Sequence, residues 1–183
     1  MKHLGTEVIE TERLILRPFA LEDAQAMFDN WAKDPEVTRF LTWPAYTTVE
    51  TANSILADWT SQYVRKDYYN WAIVPKDLGQ PIGSVSVTEQ NEKAQWMEIG
   101  YCIGKPWWHQ GYTSEAMAAV MDFLFDKVGV NRIQACHAVE NPHSGDVMKK
   151  CGMEFEGIHR QAGWCNAGIA DMCYYAKLKQ DRE

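Results

Sequence analysis

The chain has 183 residues, 46% hydrophobic and 23% charged, which is enough apolar material for a single domain over residues 1–183 and leaves no stretch polar enough to read as disordered. A formal net charge of −7 excludes a general attraction to nucleic acid or anionic lipid, since both need clustered lysine and arginine. No run approaches the roughly 20 apolar residues that cross a bilayer, the start lacks a signal-peptide core, and five cysteines without a CxxC pair predict neither a disulfide framework nor a zinc site, so a cytoplasmic protein with reduced cysteines is expected.

The first element is RLILRPF, where branched aliphatics alternate with arginines as in a strand with one face on the core, ended by Pro18. Leu21, Ala24, Met27, Phe28 and Trp31 then recur at helical spacing, and Asp34 with Pro35 closes that helix. The segment to Pro44 reads as a loop or short helix. In TTVETANSILADWTSQY, Thr47 and Glu50 stand at capping-box spacing before a stripe of Ala52, Ile55, Leu56, Trp59 and Tyr63. WAIV, IGSVSVTE and QWMEIGYCI, divided by polar turns, predict an antiparallel meander. Met117, Val120, Met121, Leu124 and Val128 line a helix from Ser114 to Val128, stopped by Gly129 and followed by the strand RIQACHAV. Asn141 and Pro142 suit the start of a short helix through Lys150, Gly152 suits its left-handed cap, and FEGIHRQAGW with IADMCYYAKL predicts a terminal hairpin.

Chemistry concentrates in WMEIGYCIGKPWWHQGYTSEAMAAVMDFL, a strand running through a loop into a helix. A helix start carries unpaired N–H groups and partial positive charge, so His109 to Ser114 offer an anion site that Gly111 lets a ligand approach, although plain turn chemistry also accounts for the glycine. The phosphate motifs GxxxxGK[ST] and GxGxxG are absent. Glu98 sits in the apolar context WMEIGY, where burial is expected to raise its pKa toward that of a general base; a solvent-facing residue on a half-exposed strand fits the pattern equally.

Four blocks, TERLILRPFALEDA, DPEVTRFLTW, EIGYCIGKPWWHQGYTSEAM and NPHSGDVMKKCGMEFEG, together resemble the GNAT superfamily of N-acetyltransferases, in its RimJ/RimL-like branch of ribosomal-protein N-terminal acetyltransferases. The resemblance implies an α/β (α+β) fold: a mixed, mostly antiparallel sheet of about seven strands, helices on both faces and a splay between the fourth and fifth strands. It implies acetyl-CoA as co-substrate without a metal, its pantetheine arm paired to Tyr101, Cys102 and Ile103 and its pyrophosphate on His109, Gln110, Gly111, Tyr112, Thr113 and Ser114. The family usually has glycine at the position of His109 and alanine or glycine at that of Thr113. Glu98 matches the family's base, Asn141 its cofactor-contacting asparagine and Ser144 a serine near the thioester. The tyrosine that many members carry later in that helix as general acid is replaced by Met148, which leaves the proton source for the thiolate open. Trp43 and Tyr46 fall where the family builds its acceptor pocket. The implied acceptor is an amine, either a peptide N-terminus or a small molecule; a CoA-binding regulatory protein is a third reading, and a homodimer is compatible with the family.

Overall fold

A computed structural model describes residues 1–182. Alternation in the apolar sequence becomes a covered sheet: strand β2 (Leu14–Arg17) buries Leu14 and Leu16 and half-buries Ile15 and Arg17. It is flanked by a two-residue strand, β1 (Ile9–Glu10), which is too short to carry a period of its own. Next in the sheet are β3 (Asn70–Pro75), buried along its whole length, β4 (Gly83–Asn91) and β5 (Trp96–Ile103), paired antiparallel in that order. The following strand, β6 (Arg132–Ala138), lies parallel to β5, which requires a crossover, here α4 (Tyr112–Phe123). Strands β7 (Glu154–Cys165) and β8 (Gly168–Leu178) form the terminal hairpin, with β8 against β6, so the eight-stranded order is β1-β2-β3-β4-β5-β6-β8-β7. The strand beyond the seven expected is β1.

Helices cover both faces. On one, α4, the π turn that continues it (Leu124–Val128) and α5 (Pro142–Lys150) pack Met117, Val120, Met121, Leu124 and Met148 onto Leu14, Leu16, Trp71, Ile73, Met97 and Ile99. On the other, α1 (Ala24–Met27) and α3 (Val49–Gln62) enclose Phe19, Met27, Trp31, Ala52, Leu56, Ala72 and Val74. The first helical stretch is irregular: a 3₁₀ turn at Leu21–Asp23 precedes α1, and a π turn at Phe28–Ala32 follows it. A short α2 (Pro35–Thr38) then starts at Asp34, whose side chain accepts from Glu36 N–H at 2.8 Å. The start of α3 differs from the expected box: its N-cap is Thr48 rather than Thr47, and the Thr48 side chain makes no capping bond. Gly129 and Gly152 take the expected left-handed conformation, at φ 82° and 73°.

Candidate active site

Strands β5 and β6 pair at Trp96↔Arg132, Met97↔Ile133 and Glu98↔Gln134 and no further, although β5 continues to Ile103 and β6 to Ala138. The other side of β5 stays paired with β4 up to Gly83↔Ile103, so a gap opens on one edge only. Gly104 N–H donates to Ile82 O at 2.9 Å, and strand alternation therefore turns the Cys102 peptide toward β4 and those of Tyr101 and Ile103 into the gap. Ile103 O accepts from Trp108 Nε1 at 2.8 Å, which centres the open edge on Tyr101. Of the three residues expected at this edge, Cys102 instead faces β4, where its thiol lies 3.4 Å from Ser84 Oγ and is pushed up in pKa by burial.

Beyond β5 the chain enters the anion loop. His109 has φ 59° and Gly111, the N-cap of α4, φ 81°. The left-handed region costs an L side chain on the order of 1 kcal/mol, so His109 occupies a conformation that suits glycine. The first backbone bond of the helix runs from Glu115 N–H to Gly111 O at 3.0 Å, leaving Tyr112, Thr113 and Ser114 N–H without intrahelical partners. Their dipoles and the bare Gly111 fit a diphosphate. The turn is braced from the residue just before β2, a contact the sequence did not signal: Arg13 Nη1 donates to Gln110 O at 3.0 Å, and Nε to Glu115 at 2.7 Å. Burial works against the Glu115 charge, but hydrogen bonds from Thr11 and Arg13 outweigh it and hold the carboxyl below its ordinary range.

Across the gap stands the first turn of α5. Asn141 is its N-cap residue, yet its side chain makes no capping bond and remains available to a ligand. Ser144 Oγ donates to Tyr101 Oη at 3.0 Å, and Tyr101 Oη donates to Ser144 O at 2.8 Å, so one phenol links β5 to α5. Burial pushes the Tyr101 phenol well up from its ordinary pKa. Met148 is buried in the core. His143 is exposed and its ring meets that of His109 edge-on at 4.8 Å, while His137 lies buried under α5.

Glu98 sits at the apex of the gap, on the sheet face opposite Tyr101. Half-buried, it accepts from Gln134 Nε2 at 3.0 Å and from Thr88 Oγ1 at 3.3 Å. Cys136 lies on the same face, its thiol pushed up to about 11 by burial and by the Glu98 charge, and the Tyr174 phenol is raised by burial and by the same neighbours. Trp43 and Tyr46 pack against this face with their rings tilted and their centroids 5.2 Å apart, and burial together with Cys102 pushes Tyr46 up to about 12. Their loop is tied to the β7–β8 turn by Asn166, whose Nδ2 donates to Thr38 O and Trp43 O, each at 2.8 Å. Strand alternation alone would have put Gln134 and Cys136 opposite the core residues Ile133 and Ala135, whereas Tyr174 and Asn166 enter only through long-range pairing.

Among the described residues no helix is long and apolar enough to cross a membrane, and no group of three or more histidine, cysteine or carboxylate side chains is placed to hold a metal ion. Residues 13–154 match the sequence profile of the acetyltransferase (GNAT) domain. The N-acetyltransferase YoaA of Bacillus subtilis (strain 168), itself uncharacterised, is 31% identical over 94% of this chain and 97% of its own. A GNAT-family acetyltransferase from Bacillus anthracis superposes with a TM-score of 0.83 at 25% identity, covering 95% of this chain and 99% of that one. RimL, a ribosomal L7/L12 alpha-N-protein acetyltransferase solved with coenzyme A, gives 0.84 at 21% identity, covering 96% and 99%. With the one-sided gap, the uncapped helix start beside it and these likenesses in hand, the chain belongs to the GNAT family and is an N-acetyltransferase.

Proposed function

We propose that this enzyme acetylates the N-terminal amine of a protein or peptide by direct attack on acetyl-CoA, with Glu98 as general base. The carrying observation is that β5–β6 pairing ends at the Glu98 carboxylate, which places an acid side chain where an unpaired strand edge begins. The pantetheine amides pair with the Tyr101 peptide groups as an added strand would. The pyrophosphate rests on the loop from His109 to Ser114, and Asn141 contacts the cofactor from α5. The thioester then lies between Ser144 on one face and Glu98 on the other. An amine arriving over Trp43 and Tyr46 as its ammonium is held by aromatic packing and cation–π attraction; it loses one proton to water to free the attacking lone pair, and the nitrogen's second proton goes to Glu98 as the amide forms. As nitrogen bonds to the carbonyl carbon, the C–S bond breaks and its electron pair leaves with sulfur. Holding both reactants in line supplies much of the acceleration. The structural likeness to RimL, named for acting on a protein α-amine, favours a chain terminus as acceptor.

Calorimetry with coenzyme A, followed by mass spectrometry of a mixed pool of ribosomal-protein N-terminal peptides and free amines incubated with acetyl-CoA, tests this reading. Saturable binding and acetylated peptide α-amines are expected. Modification of small amines alone would replace the acceptor, and failure to bind coenzyme A would remove the cofactor assignment.

A further inference from the structure

We infer that Tyr101 is a positioning residue that acts through Ser144 to stabilise the departing thiolate, an inference that rests on the site proposed above. Its side chain leaves β5 in the stretch that β6 no longer pairs and spans to the first turn of α5. There it touches Ser144 twice, accepting from Oγ at 3.0 Å and donating to the backbone O at 2.8 Å. Phenol and hydroxyl thus form a chain with one end fixed to helix backbone. A helical carbonyl already has its own N–H partner in the next turn, so the Tyr101 hydroxyl is free to exchange that carbonyl for Ser144 Oγ.

When C–S cleavage places negative charge on sulfur, the Ser144 hydroxyl turns its proton toward that sulfur, and Tyr101 Oη–H donates to the vacated Oγ. No proton leaves either oxygen: sulfur departs as the thiolate holding a charge-assisted hydrogen bond, backed by a second donor. Burial keeps the phenol protonated over the working range, which suits a permanent donor and ill suits a group that must lose its proton. The arrangement also removes the need for a tyrosine at position 148, since the Met148 side chain is buried in the core and the phenol is supplied from the neighbouring strand. The link additionally fixes the separation of β5 from α5 on one side of the gap.

The test is a double-mutant cycle of Tyr101→Phe and Ser144→Ala in the full-length enzyme, with Ser144→Thr as the conservative variant. Each single change is expected to lower kcat by about 10- to 100-fold, the loss associated with one hydrogen bond to a charged group, with KM for acetyl-CoA moved less than about twofold. The double variant is expected to be no slower than the slower single one, Ser144→Thr to recover most of the rate, and the alkaline side of the kcat–pH profile to keep its shape in Tyr101→Phe. Losses that multiply, full activity in Tyr101→Phe, or an alkaline limb that vanishes with the phenol would each overturn the inference. Coenzyme A binding, measured on the same proteins, separates its failure from that of the site: a wild-type enzyme that does not bind defeats the site, whereas uncoupled kcat losses with intact binding defeat only the role of Tyr101. If Tyr101→Phe does not fold, an unchanged kcat in Ser144→Ala still refutes it.

Discussion

The two halves of β5 are the same strand put to different uses. From Trp96 to Glu98 it has a neighbour on each side and behaves as ordinary sheet, whereas from Ile99 to Ile103 it keeps β4 and has lost β6. A lone strand edge inside a protein is a liability, because its peptide groups must find partners. Here one is answered by the Trp108 indole and the rest are left where a ligand with amides of its own can meet them. The boundary falls at a carboxylate on one face, and the first unpaired side chain on the other face to carry a polar group is Tyr101, tied to α5. The lesson is that interrupted pairing can create a binding edge and locate its reactive end together.

Three changes break or sharpen that contrast. The largest effect is expected at the boundary: Glu98→Gln keeps the shape and the contact with Gln134 but removes the base, and kcat should fall by about 100-fold or more while coenzyme A binding, read by calorimetry, persists. A protein with intact binding and undiminished turnover would show that the apex carboxylate is not the base. Next comes the paired side of the open half. A Cβ at Gly83 would lie 2.3 Å from Cys102 O and 2.9 Å from Ile103 Cα, both backbone, so Gly83→Ala must push β4 from β5. It should cost about 2–4 kcal/mol in chemical denaturation, among the larger single-residue effects, and a loss within about 0.5 kcal/mol would mean that the open half moves freely.

The smallest effect concerns β6 beyond the last pair. The Cys136 thiol is raised from 9.0 to about 11, so the fold favours its neutral form. The stability this contributes is complete below pH 9.0 and is lost as pH rises through about 11. Unfolding curves at increasing pH should show wild type losing stability in that window faster than Cys136→Ser, and identical curves would contradict the burial of the thiol beside Glu98.

Most of the element order was readable because burial imposes a period. The stripe Ala52, Ile55, Leu56, Trp59 marks α3, alternation marks β2, β4 and β5, and the continuous apolar run WAIV marks β3. The two-residue β1 was not readable, since two residues contain no repeat, and the start of α3 slipped by one because Thr47 and Thr48 offer the same hydroxyl. In the site, Gly111 and Glu98 could be named from the local pattern, each beside a plain structural account, and Ser144 only through the family resemblance. Arg13, Gln134, Tyr174 and Asn166 could not, because each reaches its place by a contact from a distant strand or turn.

What the sequence by itself determined is therefore local: the order of helices and strands, that a helix expected from Ser114 follows a loop with free N–H groups, and which residues carry acid, hydroxyl or amide. Only the tertiary structure decided that β6 leaves β5 after Glu98, that Cys102 turns toward β4, and that the Tyr101 phenol meets Ser144. Those outcomes follow from how far two strands stay in hydrogen-bond range and which helix covers the opening, and neither distance is encoded in the period of a single segment.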